Sequence, residues 1–320
     1  MIKNTEQSRR RVWQMKAARV IGVGVLCVGL FAVPAVFAET AWESMNPALA
    51  EYYLSGVWGT SGSDVFAVGE DGVILHYDGT EWSPMESGTT SNLEAVWGTA
   101  RNNVYAVGEE GAILHYNGSA WSPMEGAAGD LFVSVWGTGR SEVYAAGQGS
   151  GGTGGTGVVY RFDGKTWSQA HTVGYGCVDI WGTADDGIFV ATTTRPVLHY
   201  DGAEWTSWTT SARRPPDGIW GFSGSDVFLV GSGGGVLHFD GDKWSKMTSG
   251  TKLFLDEVWG SASDDVYAVG KAGTILHYDG ESWSAMDSGT DVWLKDIWGA
   301  SADAVFVVGE DGTIIHYAGS

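Results

Sequence analysis

Apolar positions along this chain come in short dense runs, not in a helical spacing. Val65-Phe66-Ala67-Val68, Val73-Ile74-Leu75, Val104-Tyr105-Ala106-Val107 and Ala112-Ile113-Leu114 are bounded by Gly, Asp or Asn on each side. Runs this short, rich in β-branched and aromatic residues, predict strands. A sheet with one wet face alternates apolar and polar residues. Consecutive apolar positions predict strands covered on both faces.

The runs repeat. Val-Trp-Gly or Ile-Trp-Gly recurs with its Trp at 58, 97, 136, 181, 220, 259 and 298, at spacings of 39, 39, 45, 39, 39 and 39. A fixed period of this length marks a repeat architecture. One unit, LEAVWGTARNNVYAVGEEGAILHYNGSAWSPM at 93–124, parses into four strands. Strand a holds Leu-x-x-Val-Trp-Gly, strand b Asn-Val-Tyr-Ala-Val-Gly, strand c Ala-Ile-Leu-His-Tyr and strand d Trp-Ser-x-Met. Asp78-Gly79, Asn117-Gly118, Asp163-Gly164, Asp201-Gly202, Asp240-Gly241 and Asp279-Gly280 separate c from d. These dipeptides accept the positive φ of a tight hairpin, so each unit is an antiparallel meander. Four-stranded sheets each packed between two others form a β-propeller; a β-solenoid is the alternative, but its strands would alternate between core and solvent.

The segment AWESM at 41–45 matches the strand-d segments EWSPM, AWSPM and SWSAM, yet it precedes the first unit. The last unit ends at HYAGS, after its strand c. Trp42 to Met45 therefore supplies strand d of the last blade and closes the ring. Seven strand-a and seven strand-d tryptophans give seven complete blades. An open stack would expose apolar faces and sheet edges, which invite aggregation. The expected class is all-β: a seven-bladed propeller over residues 39–320.

The unit VWG-[ST]-x-x-[DN]-V-[YF]-A-V-G-x-x-G-x-[IL]-L-H-[YF]-[DN]-G-x-x-W resembles the repeat of secreted bacterial propellers. It is similar to BNR and Asp-box propellers and to photosystem II stability-factor-like propellers, within the broad WD40/YVTN class of repeats. The resemblance covers 41–320. It departs from a true Asp box, D-x-G-x-x-W, because this chain has D-G-x-x-W, as in Asp78-Gly79-Thr80-Glu81-Trp82. Sialidases share Asp-box propellers, so the resemblance implies sugars as one ligand class. Fold alone does not fix function.

Residues 1–38 are a different text. Lys3, Arg9, Arg10, Arg11, Lys16 and Arg19 precede an apolar run from 20 to 38, and Val36-Phe37-Ala38 offers a signal-peptidase site before Glu39. The segment reads as a signal peptide, so the protein is expected to be secreted or periplasmic. Ser8-Arg9-Arg10-Arg11-Val12-Trp13 resembles a twin-arginine export signal. An uncleaved anchor is the alternative, since the run is long enough to span a bilayer.

Beyond residue 38 the chain carries 12 basic and 37 acidic residues, a net of −25. That argues against nucleic acid or an anionic membrane as partner. Cys177 is the one cysteine left after 38, so no internal disulfide is expected. A monomer is expected.

His76, His115, His199, His238, His277 and His316 occupy one position in different blades. Sevenfold geometry keeps them apart, so they are expected to be scaffold, as are the repeated Asp and Trp. No nucleophile elbow, P-loop or zinc spacing is present. The six arginines after residue 38 are scattered, without a sialidase-like triad. No cofactor, metal or catalytic residue is expected. The strand-a acids Glu94, Asp179, Asp217, Asp256, Glu257 and Asp296 are placed to line the axial channel, either around a cation or in solvent.

What recurs builds the scaffold, so departures are the places to look for function; drift among loops explains them equally well. The b–c loop of blade 3 expands to GQGSGGTGGTG at 147–157. Blade 4 has Thr192-Thr193-Thr194-Arg195 there. The linker into blade 4 carries His171 and Tyr175, and that into blade 5 carries Arg213 and Arg214. Before strand a stand Tyr53, Phe254 and Trp293 in blades 1, 6 and 7. Connections b–c and d–a share one face of the disc. The expectation is a non-enzymatic propeller binding a glycan or protein on that face through Tyr53, Phe254, Trp293, Arg195, Arg213, Arg214, His171 and Tyr175. The aromatics could equally plug the channel mouth or cover blade edges. A glycoside hydrolase or lyase in the same cleft, and a structural module of a surface assembly, are the alternatives. An enzyme would show acid and base groups with displaced pKa values at the channel mouth.

Overall fold

The computed structural model describes residues 42–45, 52–126, 129–150 and 155–319. The leader, including the candidate export signal and its anchor alternative, lies outside them, as does the centre of the Gly-rich insertion. Among the described residues no helix is long and apolar enough to cross a membrane.

The strands form seven four-stranded antiparallel sheets. Blade 1 is typical: strand a Leu54–Ser61, b Asp64–Gly69, c Ile74–Tyr77 and d Trp82–Met85 pair in that order. All six residues of its strand b are buried, as the unbroken apolar run requires. Strand a kinks at a bulge between Leu54 and Gly56. The c–d turn is held by the Asp78 carboxylate, which accepts the backbone N–H groups of Thr80 at 2.8 Å and Glu81 at 3.0 Å. Gly79 takes φ 93° there, as a tight hairpin demands.

The seventh sheet has the order expected from AWESM. Trp42–Ser44 pairs with strand c of blade 7, Ile314–Tyr317, in the register Trp42–Tyr317, Glu43–His316 and Ser44–Ile315. Strands more than 260 residues apart in sequence thus share one sheet, which completes the seventh blade.

Two sets of tryptophans hold blade to blade. A strand-d Trp points its ring edge-on at the strand-b aromatic of the blade before it: Trp121 on Phe66, Trp167 on Tyr105, Trp283 on Phe228, Trp82 on Phe306 and Trp42 on Tyr267. Such pairs add about 0.5–1.5 kcal/mol each beyond their buried area. The strand-a Trp lies against the Gly of the next blade's Trp-Gly pair. Trp58 covers Gly98, Trp97 covers Gly137, Trp181 covers Gly221, Trp259 covers Gly299 and Trp298 covers Gly59. A Cβ at Gly59 would stand 2.9 Å from the Trp298 ring and at Gly98 2.8 Å from Trp58. The Trp-Gly pair is therefore one packing device split between two blades.

The strand-c histidines are scaffold. His76, His238 and His277 pair through Nε2 with Asp64, Asp226 and Asp265 at 2.7, 2.7 and 2.8 Å. Each of these rings also packs on its own blade's aromatic, Phe66, Phe228 or Tyr267. His115 meets Asn103 at 3.0 Å and His199 the Asp186 carbonyl at 2.7 Å. In blade 7 the acid is replaced by Ala304, and the buried Nε2 of His316 has no partner.

Candidate functional site

The strand-a residues before each Trp converge on the axis. They enclose a cavity of about 290 Å³ whose wall includes Glu94, Asp179, Asp217, Asp256, Glu257 and Asp296, with Lys295 the one cation. The sequence placed these acids on the channel, and they are there. Asp179 is buried, and its oxygens accept the Ser134 hydroxyl at 2.6 Å and the backbone N–H of Ile180 and Ile219, each at 2.7 Å. Asp296 accepts the N–H of Val57 and Ile297, each at 2.7 Å. These two carboxylates tie blade 4 to 5 and blade 7 to 1.

Glu257 accepts the Val258 N–H at 3.0 Å and shares a side-chain hydrogen bond with Asp179. Burial first, then the charges of Asp179 and Asp296, pushes its carboxyl well above the usual range. Gly218 makes room, since a Cβ there would lie 2.8 Å from the Glu257 carboxyl. Asp217 is pushed up to about 7 by burial and by neighbouring Asp256, and its Oδ2 is buried without a partner. Among the described residues no three His, Cys, Asp or Glu side chains are arranged to hold a metal ion. Trp136 and Trp220, from blades 3 and 5, depart from the Gly-covering rule. Their rings meet edge-on at 5.5 Å, and Trp136 Nε1 donates to the Gly182 carbonyl at 2.8 Å.

Above the acids lies an aromatic and basic rim. Phe254 and Trp293 pack edge-on at 5.8 Å. Lys271 and Lys295 hold their ammonium groups 3.9 and 3.8 Å from the Trp293 ring, and Lys295 is also 5.8 Å from the Tyr53 ring. The Trp293 indole N–H and the Lys295 ammonium both donate to Asp256, the latter at 2.9 Å. Burial opposes the Lys295 charge most strongly, but Asp256 and Tyr53 together outweigh it and raise the pKa. Tyr53, Phe254 and Trp293 thus do come together around the channel mouth. Beside them, Tyr52 is 36% and Leu253 45% exposed; these are the exposed large hydrophobic residues among those described, and both sit in d–a linkers.

A second concavity of about 570 Å³ opens beside blade 5. Arg213, Arg214, Lys246, Lys252 and Phe254 line it over an apolar floor that includes Leu229 and Val236. No acidic residue lines it. Ser211 fastens the linker to the Trp244 carbonyl at 3.3 Å, and Thr210 binds the Arg195 carbonyl at 2.8 Å.

The eight residues proposed from sequence therefore separate. Tyr53, Phe254 and Trp293 form the rim. Arg213 and Arg214 line the groove, which shares Phe254 with the rim. Arg195 is exposed at φ 149°, in a turn tied to the same linker. His171 is not in a linker. Strand d of blade 3 runs on over Trp167–Val173, because its partner strand Gly157–Phe162 is also longer, and His171 stacks on Trp205 at 4.6 Å. Tyr175 follows that strand, half-buried. Sequence reasoning missed Lys246, Lys252, Lys271 and Lys295. Aligning the repeats would have exposed Lys252, which stands where blade 6 has Asp291, and Lys246, where blades 1 and 2 have Pro84 and Pro123.

No protein-family model matches the chain, and no curated protein matches it. Among solved structures, it is similar to "YCF48 bound to D1 peptide", with 14% identity and a TM-score of 0.71 over 88% of this chain and 98% of that one. YCF48 from Cyanidioschyzon merolae aligns at 16% identity and 0.70, over 86% and 98% of the two chains. The WD40 propeller domain of Doa1 aligns at 11% and 0.69, over 88% and 98%. These likenesses are to the fold.

Proposed function

We propose that this propeller is an exported, non-enzymatic binding module that holds a protein partner on its b–c/d–a face. The carrying observation is where the irregular chemistry lies. The exposed large apolar side chains Tyr52 and Leu253, the Tyr53–Phe254–Trp293 rim and the basic groove all occupy that one face. Loops set on a rigid scaffold are the usual carriers of binding, and exposed apolar residues rimmed by charge mark interaction surfaces. The likeness to a propeller whose structure was solved with a peptide supports a peptide or protein partner. A glycan is less well served, because stacking on a sugar needs a free ring face and Lys271 and Lys295 crowd the Trp293 ring. The basic leader and apolar run ahead of Glu39 support export; intact mass of the exported protein tests cleavage there.

The test is capture of partners by the protein beginning at Glu39. Trp293→Ala should weaken a captured partner by at least ~1 kcal/mol, as an interface hot spot does. Asn102→Ala, on an a–b loop of the other face, should leave it unchanged. The reverse pattern places the site on the wrong face.

One observation favours a second reading. Asp217, with its pKa near neutrality in a cavity beside Asp256 and Lys295, has the displaced acidity of a general acid. Hydrolase or lyase activity on a carbohydrate panel, lost in Asp217→Asn, would support an enzyme working from the channel.

A further inference from the structure

We infer that the groove beside blade 5 is a docking site for an acidic, extended peptide segment. This rests on the reading of the b–c/d–a face as the binding face. The argument comes from comparing blade 5 with its siblings position by position. The b–c turns of blades 1, 2 and 7 carry paired acids: Glu70-Asp71, Glu109-Glu110 and Glu310-Asp311. Blade 5 has Ser232-Gly233 there. Leaving blade 5, Thr248 replaces the acid found as Glu86 and Asp287, and Lys252 replaces Asp291. Entering blade 5, the linker adds Arg213-Arg214. Every change removes negative charge or adds positive charge around one concavity.

The same changes shape it. Gly233 leaves open the space over which Arg214 lies, its Nε 3.8 Å from where a Cβ would stand. Arg213, Arg214, Lys246 and Lys252 are all exposed, and none makes an ion pair or side-chain hydrogen bond with another described residue. Four unpaired cations on a chain of net charge −20 are complementary to carboxylates, which arginine binds through paired N–H donors. Against like-charged surroundings, such a patch also selects acidic partners. The apolar floor and Phe254 would take an apolar side chain between the acids, and a groove of this volume is within the usual range for ligand sites. The occupant is therefore a segment with acidic residues flanking an apolar one.

The probes are fluorescein-labelled octapeptides built on a Glu-Glu-Leu repeat, the same peptide with Gln for Glu, and a heparin-derived hexasaccharide. They are titrated by fluorescence polarisation at several salt concentrations. The acidic peptide should bind, weaken as salt rises, and exceed the Gln peptide at least ten-fold. Arg213→Ala/Arg214→Ala should lose at least ten-fold. Ser232→Glu, which restores the siblings' acid at a half-buried turn position, should do the same, with the melting temperature read alongside to confirm the fold. No binding of the acidic peptide, equal binding of the Gln peptide, or indifference to both variants overturns the proposal. Tighter binding of the hexasaccharide, lost in the arginine variant, overturns it in favour of a sulfated glycan. Acidic-peptide binding lost in Trp293→Ala but kept in the arginine variant discards the groove while sparing the face.

Discussion

Removing Trp42 tests the closure of the ring at its weakest covalent point. Trp42 is 2% exposed. It meets Tyr267 of blade 6 edge-on at 6.3 Å and Tyr317 of its own blade at 5.4 Å. It also begins the three-residue strand that covers the edge of Ile314–Tyr317. Burying a Trp of roughly 200 Å² at about 25 cal/mol per Å² contributes about 5 kcal/mol. Measured Trp→Ala losses in cores, about 3–5 kcal/mol, agree. A domain of this size shifts by roughly 2 °C per kcal/mol, so Trp42→Ala should lower the Tm by about 6–10 °C. Differential scanning calorimetry reads this, and size-exclusion chromatography reads self-association through the uncovered edge. The same substitution at Trp283, strand d of blade 6, removes equivalent packing inside continuous chain and gives the comparison. A Trp42→Ala protein that melts within about 1 °C of the parent and stays monodisperse would refute closure as a source of stability.

His277→Ala removes the Asp265 hydrogen bond and the packing on Tyr267; it should cost about 1–3 kcal/mol in urea melts and leave partner affinity unchanged. Loss of binding in the folded variant would make the histidine functional. Ala304→Asp supplies the acid missing opposite His316, and should raise stability by about 1 kcal/mol; a lower Tm shows that blade 7 cannot accept the charge. Asp217 titrates at about 7 in the fold against an ordinary 3.8. An acid raised in this way contributes full stability below about pH 4 and loses it as pH rises through about 7. Asp217→Asn should therefore melt above the parent at pH 8, with the difference closing towards pH 4–5; a pH-independent difference contradicts the assignment.

Much of the site was legible in part. The Tyr53, Phe254 and Trp293 positions stood out because they are bulky departures at one repeat position. Their capture by Lys271, Lys295 and Asp256 was not legible: Asp256 reads as a channel acid, the two lysines read as ordinary surface charge, and nothing in the repeat pairs either with Trp293. His171 misled for the opposite reason. It departs from the repeat, but the departure lengthens a strand and places the ring against Trp205. Arg213 and Arg214 were visible as a basic pair, whereas the groove around them depends on acids that blade 5 lacks, and an absence is seen only against the aligned siblings.

The sequence alone determined the blades. Strand runs, Asp-Gly turns and the Trp-Gly period are local features, and each repeat states them afresh. The stray AWESM decided even the closure, because an unpaired strand d and a missing strand d have one solution in a ring. Only the tertiary structure decided the chemistry of the axis. Asp179 meets Glu257 across Gly218 because three blades bring one side-chain position to a common centre. Burial there displaces carboxyl groups that, as sequence, are ordinary acids. The pairing of strands follows from nearest neighbours in the chain, while the electrostatics of a cavity sum over residues far apart in it.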